Sequence, residues 1–99
     1  MIYHLLTPDK LKENDGPTHY GYALLQKEPF LHCCTKEQIP YIIERFYADA
    51  EELMVMEIDE EILDVELKNE VDPVSKESFP HIYGLINKTA IQRISPWTN

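Results

Sequence analysis

Arginine is scarce in this chain. Arg45 and Arg93 are the two among nine basic residues, against eighteen acidic ones, and the formal charge is −9. Such a surface repels phosphate backbones, so nucleic-acid binding as the main role is disfavoured; the acidity by itself speaks for solubility. Cysteine is equally limited. Cys33 and Cys34 are adjacent, and neighbouring strand residues point to opposite faces, so no disulfide between them is expected and a reduced compartment is the simpler reading. Adjacent cysteines also lack the two-residue spacing of a zinc knuckle. With three glycines, the chain carries no P-loop, dinucleotide fingerprint or nucleophile elbow. No apolar run approaches the ~20 residues of a membrane helix. Met1-Ile2-Tyr3-His4 has no basic stretch ahead of its apolar residues, so a signal peptide is not indicated and a cytoplasmic protein is expected.

What is present fits one domain spanning residues 1–99, with 43% hydrophobic and 27% charged residues, an ordinary globular balance that argues against disorder. Three of the four histidines recur in one setting, each inside a short apolar strand: Ile2-Tyr3-His4-Leu5-Leu6, Phe30-Leu31-His32-Cys33-Cys34 and Phe79-Pro80-His81-Ile82-Tyr83-Gly84. That recurrence is the main functional signal.

Along the chain, Thr7-Pro8-Asp9 after the first strand starts a short helix over about residues 8–14: a capping threonine, a proline at the first helical position and an acid at the positive end of the dipole. Asn14-Asp15-Gly16-Pro17 ends it with turn chemistry. Tyr20 to Tyr22 reads as extended, and residues 23–28 as one helical turn. After the second strand, Thr35 and Gln38 form a capping box. The main helix is expected to run to about Asp49, burying Ile39, Ile42, Ile43, Phe46 and Tyr47, with Pro40 removing one hydrogen bond near its entry. Strands follow at 53–58, 65–70, 81–84 and 90–94, with a helical turn capped by Asp59. Strict strand–helix alternation is absent. The fold class is therefore α+β, with a mixed, mostly antiparallel split sheet, one main helix and small helices.

His4, His32 and His81 on separate strands could pair as acid and base or donate to a bound oxygen. A lone histidine on such a strand is more often a hydrogen-bonded core residue, and a three-histidine metal site is a third arrangement the sequence leaves open. Glu70 ends a strand, where a carboxylate can orient a hydroxyl or stabilise a developing cation. Cys34 and Thr35 precede a helix start, where the dipole lowers a thiol pKa, so a nucleophilic Cys34 with His32 or His81 as base is a further arrangement.

Together these stretches resemble the bacterial family named domain of unknown function 952. The residues that carry the resemblance are Ile2-Tyr3-His4-Leu5 with Thr7-Pro8, Phe30 to Thr35 with Gln38, Glu57-Ile58-Asp59, Glu70, and Phe79 to Gly84 with Ala90 and Ile91. Members usually read serine where this chain has Cys34. The resemblance implies a small ADP-ribosyltransferase-like fold, two abutting sheets around a cleft that holds NAD in the true transferases. It implies that His4 bonds a ribose hydroxyl, and that His32, Cys34 and Thr35 mark the second site strand. Glu70 or His81 would stand near the reacting carbon, Arg45 would neutralise a phosphate, and Tyr83 would line the ligand. The expected ligand is a small-molecule nucleotide, with NAD as the candidate cofactor, and no nucleic acid or membrane partner. Two alternatives stand beside a nucleotide cleft: a non-enzymatic interaction domain that retains the fold, and a small hydrolase or thiol enzyme using Cys34.

Overall fold

The structure, a computed structural model, describes residues 1–98. Its elements in order are β1 (Ile2–Leu6), α1 (Pro8–Asn14), β2 (His19–Tyr20), α2 (Leu24–Lys27), β3 (Leu31–His32), a 3-10 turn (Lys36–Gln38), α3 (Ile39–Phe46), β4 (Met54–Ile58), β5 (Glu66–Val71), β6 (Ser78–Tyr83), β7 (Ile86–Asn87), a second 3-10 turn (Lys88–Ala90) and β8 (Ile91–Pro96). Among the described residues the strands form three sheets: β1-β4-β8, β3-β6-β5 and the two-stranded β2-β7. Every strand pairing in them is antiparallel, so the α+β class holds but the sheets are not mixed as expected. No helix among these residues is long and apolar enough to cross a membrane.

The two three-stranded sheets meet at one bridge. Tyr3 N donates to Cys34 O at 2.9 Å, and Cys34 N donates to Tyr3 O at 2.8 Å. Ile2, Leu6, Tyr20, Leu31, Met56, Ile58, Ile82, Ile86 and Ala90 share the main core. Burying a side chain such as Leu6 or Ile82 contributes about 1.5–3 kcal/mol. Leu5, Cys34, Ile39, Val55 and Phe79 make a second cluster under α3, with Trp97 packed against it.

The sequence signals explain the elements well up to their ends. The Thr7 side chain accepts from Lys10 N at 3.3 Å and Pro8 opens α1. Thr35 N donates to Gln38 Oε1 at 2.9 Å. Pro40 lies in the first turn of α3. The preceding 3-10 turn delays the α-helix, so the proline costs no hydrogen bond, contrary to the expectation above. The helix also ends at Phe46 rather than near Asp49, and Phe46 is 61% exposed. It lies under the Arg45 guanidinium, 4.8 Å from its ring centroid, instead of in the core. Around Asp59 the chain makes the expected single turn, closed by Ile62 N to Asp59 O at 3.1 Å and capped by the Asp59 side chain, whose Oδ1 accepts from Glu61 N at 3.1 Å.

Pro80 sits inside β6, the central strand of its sheet. A residue's N–H and C=O point the same way in a strand, and Pro80 O accepts from Cys33 N at 3.1 Å. The missing N–H therefore falls where the two-residue β3 has already ended. Gly21, at φ +119°, turns the chain from β2 into α2. A Cβ there would stand 2.8 Å from Leu31 Cδ1, so both backbone and space call for glycine.

Candidate functional site

The β3-β6-β5 sheet has one buried and one partly open face. Leu31, Ile82 and Leu67 alternate onto the core side. On the other side, strand register sets His32 opposite His81, and His81 opposite Lys68. The three form a row across three strands. α3 covers one end of this face, where the Tyr41 ring stacks over Phe79 at 6.3 Å. At the His81–Tyr83 end, Phe30 lies over the face. The Phe30 ring is stacked on His81 (centroids 3.9 Å, interplanar 16°) and stands edge-on to His32 at 4.8 Å.

Glu70 binds this group together. Its Oε1 accepts from His81 Nδ1 at 2.8 Å and from the Tyr83 hydroxyl at 2.5 Å. A carboxylate only accepts, so His81 carries its proton on Nδ1 and turns Nε2 outward. Those bonds, Tyr83 first and His81 second, hold the Glu70 carboxyl below its ordinary pKa, and the Tyr83 phenol is raised in turn by the same contact. The His32 ring is open to solvent and makes no hydrogen bond among the described residues. Loss of hydration beside its neighbours, then repulsion from His81, lowers its pKa. Lys68 leans into the group with Nζ 4.8 Å from the Tyr83 ring centroid.

His4 is not part of this face. It is 4% exposed, in the sheet on the other side of the bridge. Its Nδ1 donates to His32 O at 2.7 Å, since a carbonyl accepts, and its Nε2 accepts from the Tyr20 hydroxyl at 3.0 Å. Burial drives its pKa down to about 4. His4 thus supports the backbone of His32 from beneath. With both its nitrogens engaged, a three-histidine metal set does not assemble, and no group of three or more His, Cys, Asp or Glu side chains among the described residues is arranged to hold a metal.

The thiol arrangement is corrected. Cys34 is 2% exposed, and burial pushes its pKa up to about 12; the single 3-10 turn that follows exerts too short a dipole to offset this. Cys33 is shifted upward for the same reason. Native protein at neutral pH is therefore expected to react with iodoacetamide at least about tenfold more slowly than protein unfolded in guanidinium. Equal rates would restore the thiol reading. Thr35 is exposed beside Cys34 and serves its capping box. Arg45 lies at the far end of β5, bound to Asp72 Oδ2 at 2.7 Å and to the Tyr41 hydroxyl at 3.1 Å. Asp72 is held at about 2 by the Ser75 backbone first and Arg45 second.

Of the residues singled out from sequence, then, the fold brings His32, His81, Glu70 and Tyr83 together, sets His4 behind them, and holds Cys34 in the core. Phe30 and Lys68 join them, though neither is a site candidate on residue type. Phe30 was legible from its period-two spacing to His32; Lys68 was not, because its place opposite His81 depends on strand register. The group lines neither of two concavities, of about 240 and about 200 Å³, found elsewhere on the molecule.

Fold and site define a small antiparallel α+β domain with a histidine–carboxylate cluster on a half-open sheet. The chain belongs to the family described as "Protein of unknown function (DUF952)", whose model matches residues 5–94. It is similar to protein CC0527 from Caulobacter crescentus, whose crystal structure matches with a TM-score of 0.80 at 21% identity, covering 96% of this chain and 83% of that one. A double mutant of that protein matches with the same TM-score at 20% identity and the same coverage. At these identities the likeness is one of fold. The curated proteins give no match.

Proposed function

We propose that the open face of the β3-β6-β5 sheet is a ligand cleft of ADP-ribosyltransferase type, acting on NAD or a related nucleotide. The observation that carries this reading is Glu70, an anionic carboxylate fixed by Tyr83 and His81 beside the Phe30 ring. Loss of nicotinamide passes through an oxocarbenium-like state, and a positioned carboxylate stabilises the charge that develops there and orients the acceptor. Phe30 offers a planar surface for stacking. His81 and Tyr83 flank the carboxylate, His32 lies one strand further on beside His81, and Cys34 and Thr35 mark the end of the same site strand. Arg45 would meet a phosphate at the far end only by leaving Asp72. His4 acts in this reading through the His32 carbonyl, as a positioning residue, and not on the ribose.

The test is a backbone-amide NMR titration with NAD, ADP-ribose and nicotinamide. Shifts are expected to gather on residues 30–32, 66–71 and 78–83, and to weaken in Glu70→Gln. Their absence at millimolar ligand would remove NAD and its relatives. A second reading, a non-enzymatic interaction domain that retains the fold, is favoured by His4, whose ring is fully engaged by Tyr20 and His32. In that case His81→Ala lowers stability and no ligand is lost.

A further inference from the structure

We propose that the row His32–His81–Lys68 is a receptor for a tetrahedral oxyanion, the phosphate of a nucleotide ester. The inference rests on the reading above only in taking the same face as the ligand face.

Three nitrogen-bearing side chains lie in one register row across β3, β6 and β5. Directly opposed residues hold their Cβ atoms about 4.5–5.5 Å apart, and the two imidazole centroids are 5.4 Å apart. That spacing suits two hydrogen bonds to different oxygens of one phosphate. The nitrogens are also available. Neither ring nitrogen of His32 nor Nε2 of His81 has a partner among the described residues, whereas His81 Nδ1 is fixed by Glu70. This fixing aims Nε2 away from the carboxylate, where it accepts from a phosphate hydroxyl or, as the imidazolium, donates to a phosphate oxygen. Lys68 supplies a permanent charge with three donors. Its nearest acid, Glu66, stands 3.8 Å away with a side chain 66% exposed, a loose pair that an incoming phosphate displaces at little cost. The negative charge of Glu70 is already shared between two donors. In a chain of net charge −9, such a row offsets locally the repulsion an anion meets elsewhere.

The experiment follows the imidazole resonances of the intact protein during titration with inorganic phosphate, against sodium chloride at matched ionic strength. His32 and His81 are expected to shift in phosphate beyond their response to chloride, with His19 as an internal reference. Lys68→Met is expected to weaken binding about fivefold, and Lys68→Arg to retain it. Lys68 is exposed, so neither change threatens the fold. A response matched by chloride, or an unchanged affinity in Lys68→Met, overturns the proposal. Phosphate binding without any response to NAD, ADP-ribose or nicotinamide would keep the oxyanion receptor and remove the transferase reading. NAD binding without a phosphate response would do the reverse.

Discussion

Lowering the pH from 7.5 to 4.5 is expected to remove about 2–3 kcal/mol of folding stability through His4 alone. The ring is buried and neutral, and its folded pKa is about 4, against about 6.5 in an unfolded chain. A folded pKa below the unfolded one means that the unfolded state binds the extra proton. The contribution is therefore full above about pH 6.5 and is lost as the pH falls through about 4. His32, also shifted downward, adds in the same direction. Glu70 and Asp72, whose carboxyls are held low, add losses only at still lower pH. Urea denaturation across this range measures the effect. His4→Gln is expected to be less stable at pH 7.5, because it disturbs the bonds to Tyr20 and His32 O, and to have a flatter pH profile. An equally steep profile in that variant would mean that the buried imidazole is not the titrating group.

Asn87→Ala is expected to cost about 2–4 kcal/mol. The side chain is 8% exposed and serves three partners. Its Oδ1 accepts from Asp64 N at 3.1 Å, and its Nδ2 donates to Ile62 O at 3.0 Å and Thr89 Oγ1 at 2.7 Å. Truncation strands a backbone donor and a backbone acceptor of the β4–β5 connection, and each carries a desolvation cost of its own. Asn87→Asp does not rescue, because it loses both donors and buries a charge. Chemical denaturation gives the magnitude, and hydrogen exchange at the Asp64 amide gives the location. A loss below about 0.5 kcal/mol, with Asp64 still protected, would show that water replaces the amide. The connection leads directly into β5, so its loosening also reaches Lys68 and Glu70.

Caps, prolines and alternation act locally and place most strands and helix starts within a residue or two, while β6 begins at Ser78, three residues before the expected 81–84. Thr7 and Pro8 fix α1, and Thr35 with Gln38 fixes the turn before α3. The two-residue strands β2, β3 and β7 are harder to read, since two residues have no period. Residues 87–89 look like a plain turn, yet Asn87 pairs with His19. Phe46 has helical spacing with the apolar face of α3 but lies where the helix ends, so its ring stays mostly exposed and meets the Arg45 guanidinium instead of a core. Pro80 argues against a central strand until the early end of β3 is known.

By itself the sequence determined the class of the fold, the family, and the set of chemistry-bearing residues: three histidines in apolar strands, a carboxylate at a strand end, and a tyrosine two residues from His81. Only the tertiary structure decided which of them meet. His4 and His32 look alike in sequence, but β1 pairs with the distant β4, and β3 pairs with β6. One imidazole therefore enters the core with both nitrogens bonded, while the other stands open beside His81. The deciding quantity is register between distant strands. It follows from the joint burial of two apolar faces, and no local pattern of residues carries it.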